Sequence, residues 1–197
     1  MLKKLAILIL ASSCMMTAKA DGVSLSSSAA VTTNNSGSAT QNVIGNAAWA
    51  APLSGSSWVS FANTGDTSDP GFVLLPNGTS ATFSQTFNLS GTVTDATLDV
   101  LADDMASVFL NGNQIFPTNS GNIGWLSSTE GIFDMSQIAP YLVDGTNTIS
   151  FVVSQEGGYS YGLDYSGVIT TPEPGSLVLL GSGLIGLVGF GRRKLLS

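Results

Sequence analysis

The sequence predicts an all-β fold, an antiparallel sandwich with one short helix. Three observations predict it. Apolar residues alternate with Ser, Thr and Asn in several short runs, the period of a strand with one buried face. Turn formers separate those runs at intervals of roughly 8–12 residues, the spacing of sandwich strands. Helix signals occur in one short stretch of the body.

Residues 21–44 are rich in Ser, Thr, Asn, Ala and Gly. They read either as flexible chain or as early edge strands, and both readings stay open. The folded domain is expected over 45–170. Trp49 and Trp58 are assigned to its core, with Ser57–Phe61 as a short aromatic strand. A polar loop ending Asp69-Pro70-Gly71 follows. In Ala81–Leu89, Phe83, Phe87 and Leu89 share one face, and Thr82, Ser84, Thr86 and Asn88 the other. In Ala96–Ala102, the residues Ala96, Leu98, Val100 and Ala102 share a face. Val108–Leu110 and Gln114–Phe116 flank Asn111-Gly112, the strongest short-range hairpin signal, because both turn residues accept positive φ. Asp134 with Gln137 three residues on forms a capping box, and Pro140 limits the helix to a turn or two. Asn147–Ser154 alternates again. After Gly157-Gly158, a last strand carries Tyr161, Leu163, Tyr165 and Ile169.

Charge restricts what this body can do. Charged residues make up 10% of the chain, against roughly a quarter in an ordinary domain. The six basic residues are Lys3, Lys4, Lys19, Arg192, Arg193 and Lys194, and there is no His. All 13 acidic residues except Glu173 lie between Asp21 and Asp164. Nucleic acid is excluded as a partner, because phosphate neutralisation needs Lys or Arg. Catalysis by His, Cys or Lys is excluded in the body. The single cysteine, Cys14, lies in the N-terminal apolar segment, so no disulfide staples the domain.

The terminal segments carry addresses. Lys3 and Lys4, the apolar Leu5–Ala11, and the small residues Ala18 and Ala20 form a secretory signal, with cleavage expected before Asp21. At the other end Pro172-Glu173-Pro174 precedes the apolar run Ser176–Phe190, and Arg192, Arg193 and Lys194 close the chain. The run is 15 residues, or roughly 22 Å as a helix. It spans a core of about 30 Å only with help from flanking residues and snorkelling arginines. The basic tail belongs on the cytoplasmic side.

This three-part ending, 171–197, resembles the PEP-CTERM sorting signal of secreted proteins in Gram-negative bacteria that make exopolysaccharide. The resemblance implies export by Sec, an inner-membrane anchor over about 176–190, and recognition of Pro172-Glu173-Pro174 by an exosortase. The protein would then reach the cell surface or extracellular matrix. The body resembles galactose-binding-domain-like jelly rolls. That likeness rests on Thr82–Phe87, Ala96–Val100, the run from Ala102-Asp103-Asp104 to Asn111-Gly112, Asp134–Leu142, and Asp144–Ile149. It implies a jelly-roll sandwich that binds or builds, often in connection with glycans.

Candidate sites are few. Asp103-Asp104 reads either as a calcium site, with backbone carbonyls and Asp99 or Asn111, or as a solvated strand end capping a turn. Adjacent strand residues point to opposite faces, so the two carboxylates meet only if a turn intervenes. Trp125, Tyr159 and Tyr161 are candidate contacts to extracellular polysaccharide. A glycosidase would need two carboxyls flanking one cleft. Glu130, Glu156 and Asp104 are available, and nothing in the sequence pairs them. No cofactor other than calcium is implied. The expectation is a protein that is not an enzyme.

Overall fold

A computed structural model describes residues 21–35, 37, 39–119, 121–172 and 181–183. The signal segment with Ala18 and Ala20, the sorting residues Glu173 and Pro174, and the basic tail Arg192, Arg193 and Lys194 lie outside them. So does most of the apolar run, of which residues 181–183 are helical. Among the described residues no helix is long and apolar enough to cross a membrane.

Residues 22–171 form one compact unit. Its strands are β1 (Asp21–Ser26), β2 (Gln41–Asn42), β3 (Val59–Ser60), β4 (Ser80–Leu89), β5 (Asp95–Asp103), β6 (Met105–Leu110), β7 (Asn113–Ile115), β8 (Gly131–Phe133), β9 (Gly145–Ser154) and β10 (Gly162–Thr171). One sheet has the order β2-β3-β10-β5-β8, with β1 also paired to β10. The other runs β4-β9-β6-β7. The registered ladders are antiparallel, and the longest pair β4 with β9 from Ser80↔Ser154 to Leu89↔Gly145.

The alternation buries what it promised. Phe83, Phe87 and Leu89 of β4 meet Leu98, Val100 and Ala102 of β5 in one core, with Ile149, Phe151 and Val153 from β9. Tyr165 stacks on Phe151 across the two sheets, with ring centroids 4.3 Å apart. Each of the Val, Leu, Ile and Phe side chains stabilises the fold by roughly 1.5–3 kcal/mol through burial, and the aromatic pair adds about 1 kcal/mol. The Tyr165 hydroxyl donates to Gln85 Oε1 at 3.0 Å, so its burial leaves no orphaned group. Burial drives its pKa upward.

The hairpin forms as its sequence dictates, with φ of 51° at Asn111 and 81° at Gly112. The Asn111 amide also reaches Asn147, buried at the start of β9, at 2.8 Å. The helix α1 (Met135–Ile138) is a single turn. Asp134 Oδ1 accepts from the Ser136 N–H at 2.7 Å, and Gln137 returns to the Asp134 N–H at 3.1 Å.

The N-terminal stretch is part of the sandwich. Leu25 is buried in the core. The remainder is held by hydroxyls: Thr32 Oγ1 lies 3.1 Å from the Tyr165 hydroxyl, and Thr33 Oγ1 lies 3.0 Å from the hydroxyl of Ser84 in β4. Low apolar content here is compensated by hydrogen bonds to buried partners.

Candidate functional site

Five residues from four separate stretches build one end of the sandwich. Leu101 points away from the main core, opposite Val100 and Ala102. It is nevertheless buried, because Trp49 and Trp58 cover it. Their rings stand 4.2 Å apart at 36°. Trp58 Nε1 donates to the Ala50 carbonyl at 3.1 Å. Gly162 opens β10 directly beneath the pair: a Cβ there would lie 2.8 Å from Trp49 Cη2, so only glycine fits. Trp125 packs half-buried on the same cluster. Its loop is pinned by two backbone bonds, Ala50 N–H to the Trp125 carbonyl at 2.8 Å and Ala102 N–H to the Gly124 carbonyl at 3.1 Å.

The Asp pair sits at the edge of this cluster. Trp49 Nε1 donates to Asp103 Oδ2 at 2.6 Å. Asp104 accepts from the Glu156 N–H. A cis peptide joins the two aspartates, and their carboxyls hydrogen-bond to each other. The chain turns here between β5 and β6, so strand alternation does not separate the pair. Burial pushes the Asp103 carboxyl up to about 8, aided by the hydrogen bond to Asp104 and by its negative charge, against the opposing Trp49 N–H. The arrangement favours a proton shared within the pair.

Between Trp125 and the Asp pair lies a cleft of about 470 Å³. Its apolar walls are Trp125, Ile123, Met105 and Leu126, and its polar groups come from Asp104, Asn122, Thr129 and Glu156. The volume falls within the roughly 300–1,000 Å³ of small-ligand sites. Apolar walls with a few convergent polar groups suit a ligand with an apolar face and a hydroxyl rim.

The structure brings Trp125 and Asp104 to this cleft and adds Glu156. Tyr159 is 71% exposed on the adjoining loop, outside the cleft lining. Tyr161 is corrected: it is wholly buried, its hydroxyl donating to the Val153 carbonyl at 2.9 Å, and it offers no ring to a ligand. Glu130 lies elsewhere, with Asp99 and Asp164 as its charged neighbours; burial first, and then those two charges, raise its pKa. Asn111 closes the far end of β6 and cannot join Asp103. Among the described residues no group of three or more His, Cys, Asp or Glu is placed to hold a metal ion.

Sequence reasoning missed Asn122, Ile123 and Thr129, which stand in a loop without a motif. It also missed Asp164, fully buried on β10, which accepts from Ser27 Oγ and the Leu53 N–H, each at 2.7 Å. This carboxylate fastens the segment carrying the tryptophans to the sheet.

The Asp103 shift makes stability fall with alkali. Its pKa is above the ordinary 3.8, so the folded chain binds the proton more tightly than the unfolded one. The contribution is complete below the ordinary value and is lost as pH rises through about 8. Asp103→Asn can accept from Trp49 and donate to Asp104 at any pH. Thermal melts between about pH 5 and about pH 9 are expected to show the parent losing more stability than the variant. Parallel pH profiles would contradict the shared proton.

Residues 170–194 match the PEP-CTERM protein-sorting motif. No curated protein matches the chain. Among solved structures, the chain is similar to an α-L-rhamnosidase of Streptomyces avermitilis complexed with L-rhamnose, at 21% identity and a TM-score of 0.45. It spans 71% of this chain but 13% of that enzyme. It is also similar to a native family 35 carbohydrate binding module of Clostridium thermocellum, at 16% identity and a TM-score of 0.41, covering 74% of this chain and 97% of the module. A third is the CBM36-1 domain of a multidomain xylanase from the hindgut metagenome of Trinervitermes trinervoides, at 16% identity and a TM-score of 0.36, covering 75% and 96%. The likeness is one of fold.

Proposed function

We propose that this chain is exported by Sec, held at the inner membrane through about residues 176–190, and sorted by an exosortase acting at Pro172-Glu173-Pro174. Its sandwich then serves at the cell surface or in the extracellular matrix of a Gram-negative bacterium as a non-catalytic module that binds uncharged glycan. The observation that carries the binding is the cleft of about 470 Å³ beside Trp125. The ring supplies a face for sugar C–H groups, and Asn122, Thr129, Asp104 and Glu156 supply partners for hydroxyls. The absence of Lys, Arg and His between Asp21 and Thr170 argues against an anionic glycan, which would meet only like charge.

The placement of the cleft supports this reading. β10 begins at Gly162, opposite Asp103, and Thr170 pairs with Asp95 at the other end. Gly22 lies against Val168 and Ile169 at that same far end. The unit is therefore entered and left at one pole, and the cleft is at the other, about 30 Å away along the strand. Trimming at both junctions leaves the cleft intact.

Calcium is not required in this proposal. Asp103 directs its carboxyl to Trp49 and Asp104, and a hard cation wants several free oxygens. Melts with calcium and with EDTA are expected to coincide. A carbohydrate-active enzyme is the second reading, favoured by Asp104 and Glu156 on one cleft. Asp104 is already engaged by the Glu156 N–H and by Asp103, so oligosaccharides are expected to be bound and recovered uncut.

Sorting and binding are tested separately. Glu173→Ala is expected to accumulate membrane-bound precursor, seen as a larger band in the membrane fraction; unchanged release of mature protein would sink the sorting proposal. For binding, a panel of neutral and anionic glycans is expected to retain the protein on neutral members only. Failure on every member would leave a purely structural matrix or adhesion protein.

A further inference from the structure

A second, smaller groove adjoins the cleft on the outer face of β6 and β9. Met105, Asn122 and Ile123 line both, so the two lie side by side. The groove has a volume of about 260 Å³, just under the usual lower limit of roughly 300 Å³ for a ligand site. By itself it is too small to be a site, and it makes sense as an extension. Its floor carries Ser107, Val152 and Ser154, and Phe116 and Gln114 border it. No charged side chain lines it.

Phe116 is the informative residue. It follows β7 and is 66% exposed. A lone exposed apolar side chain is ordinary. This one edges a groove that leads to a cleft with another aromatic, Trp125, at its far side. Two aromatic platforms joined by a hydroxyl- and amide-bearing, uncharged track match a chain of sugar rings better than a single ring.

We infer that the cleft and the groove together hold an internal stretch of a neutral polysaccharide, with Trp125 and Phe116 stacking on different residues of one chain. The inference rests on the proposed glycan binding at the cleft. It specifies what that reading leaves open: recognition of an extended chain rather than a terminal sugar.

The test uses the secreted full chain and neutral oligosaccharides graded from disaccharide to octasaccharide. Affinity is expected to rise with length in the parent. Phe116→Ala is expected to remove most of that gain, about five- to tenfold at the longest ligand, while disaccharide affinity moves less than twofold. Gln114→Ala, also exposed, gives a smaller loss of the same kind. Trp125→Ala weakens ligands of every length. Affinity independent of length, or equal loss at all lengths in Phe116→Ala, overturns the extended groove and leaves the cleft standing. No binding at any length overturns both. Self-association of the parent that Phe116→Ala abolishes would make the groove a contact between copies of the chain and also overturn the inference.

Discussion

Trp58→Ala is expected to cost about 3–5 kcal/mol of stability, the range for truncating a buried aromatic. At about 2–4 °C per kcal/mol for a chain of this size, the melting temperature should fall by roughly 6–20 °C. Trp58 is 2% exposed and fills the space between Trp49 and Leu101. The packing around it is close: a Cβ built at Gly162 would lie 2.8 Å from Trp49 and 3.3 Å from Trp58. The Ala50 carbonyl also loses its donor, which adds the penalty of an unpaired polar group. The effect should reach the cleft. Trp49 leans on Trp58 and donates to Asp103, so losing Trp58 loosens both the Asp pair and the seat of Trp125. Trp58→Phe should recover part of the stability without restoring the bond to Ala50. A melt unchanged within about 1 kcal/mol would mean that this second cluster is not a packed core.

Trp125→Ala should behave in the opposite sense, with a large effect on binding and a small one on folding. The ring is half-buried and its loop is held mainly through backbone groups, Ala50 to the Trp125 carbonyl and Ala102 to the Gly124 carbonyl. Those bonds survive the substitution. The lost ring is the largest side chain among those lining the cleft. Aromatic anchors of this kind carry about 2 kcal/mol or more when truncated, equivalent to roughly 30-fold in affinity. The pair of variants separates the two roles of neighbouring tryptophans: one supports the site and the other meets the ligand.

Much of the main sandwich was legible because period-two alternation is set by backbone geometry. Phe83, Phe87 and Leu89, or Leu98 and Val100, can be assigned to a buried face without knowing their partners. Asn111-Gly112 and the Asp134–Gln137 box are equally local. Leu101 marks where that reasoning stops. Alternation put it on the face away from the core, and it is buried all the same, because the segment carrying Trp49 and Trp58 folds over that face. A strand pattern does not say which loop covers its outer side. The N-terminal stretch was ambiguous for a related reason. Ser27 and Thr32 are held by Asp164 and Tyr165, partners more than a hundred residues away in sequence.

Tyr161 teaches a different lesson. It shares the period of Leu163, Tyr165 and Ile169, and that pattern alone places it inside. Its place among the candidate polysaccharide contacts conflicts with that strand period, and the period governs the residue. The cleft itself was only partly readable. Trp125, Asp104 and Glu156 come from three connections, and only the order of strands brings them to one pole. Composition was more direct: a body without a single cation restricts its partner by charge alone.

The central claim is that the pole beside Trp125 binds neutral glycan. Calorimetric titration of the secreted chain and of Trp125→Ala with the neutral polysaccharide that best retains the parent tests it most directly. The account predicts saturable binding by the parent, a loss of roughly 30-fold in the variant, and thermal melts that agree to within a few degrees. Equal affinity for parent and variant at matched stability would contradict it.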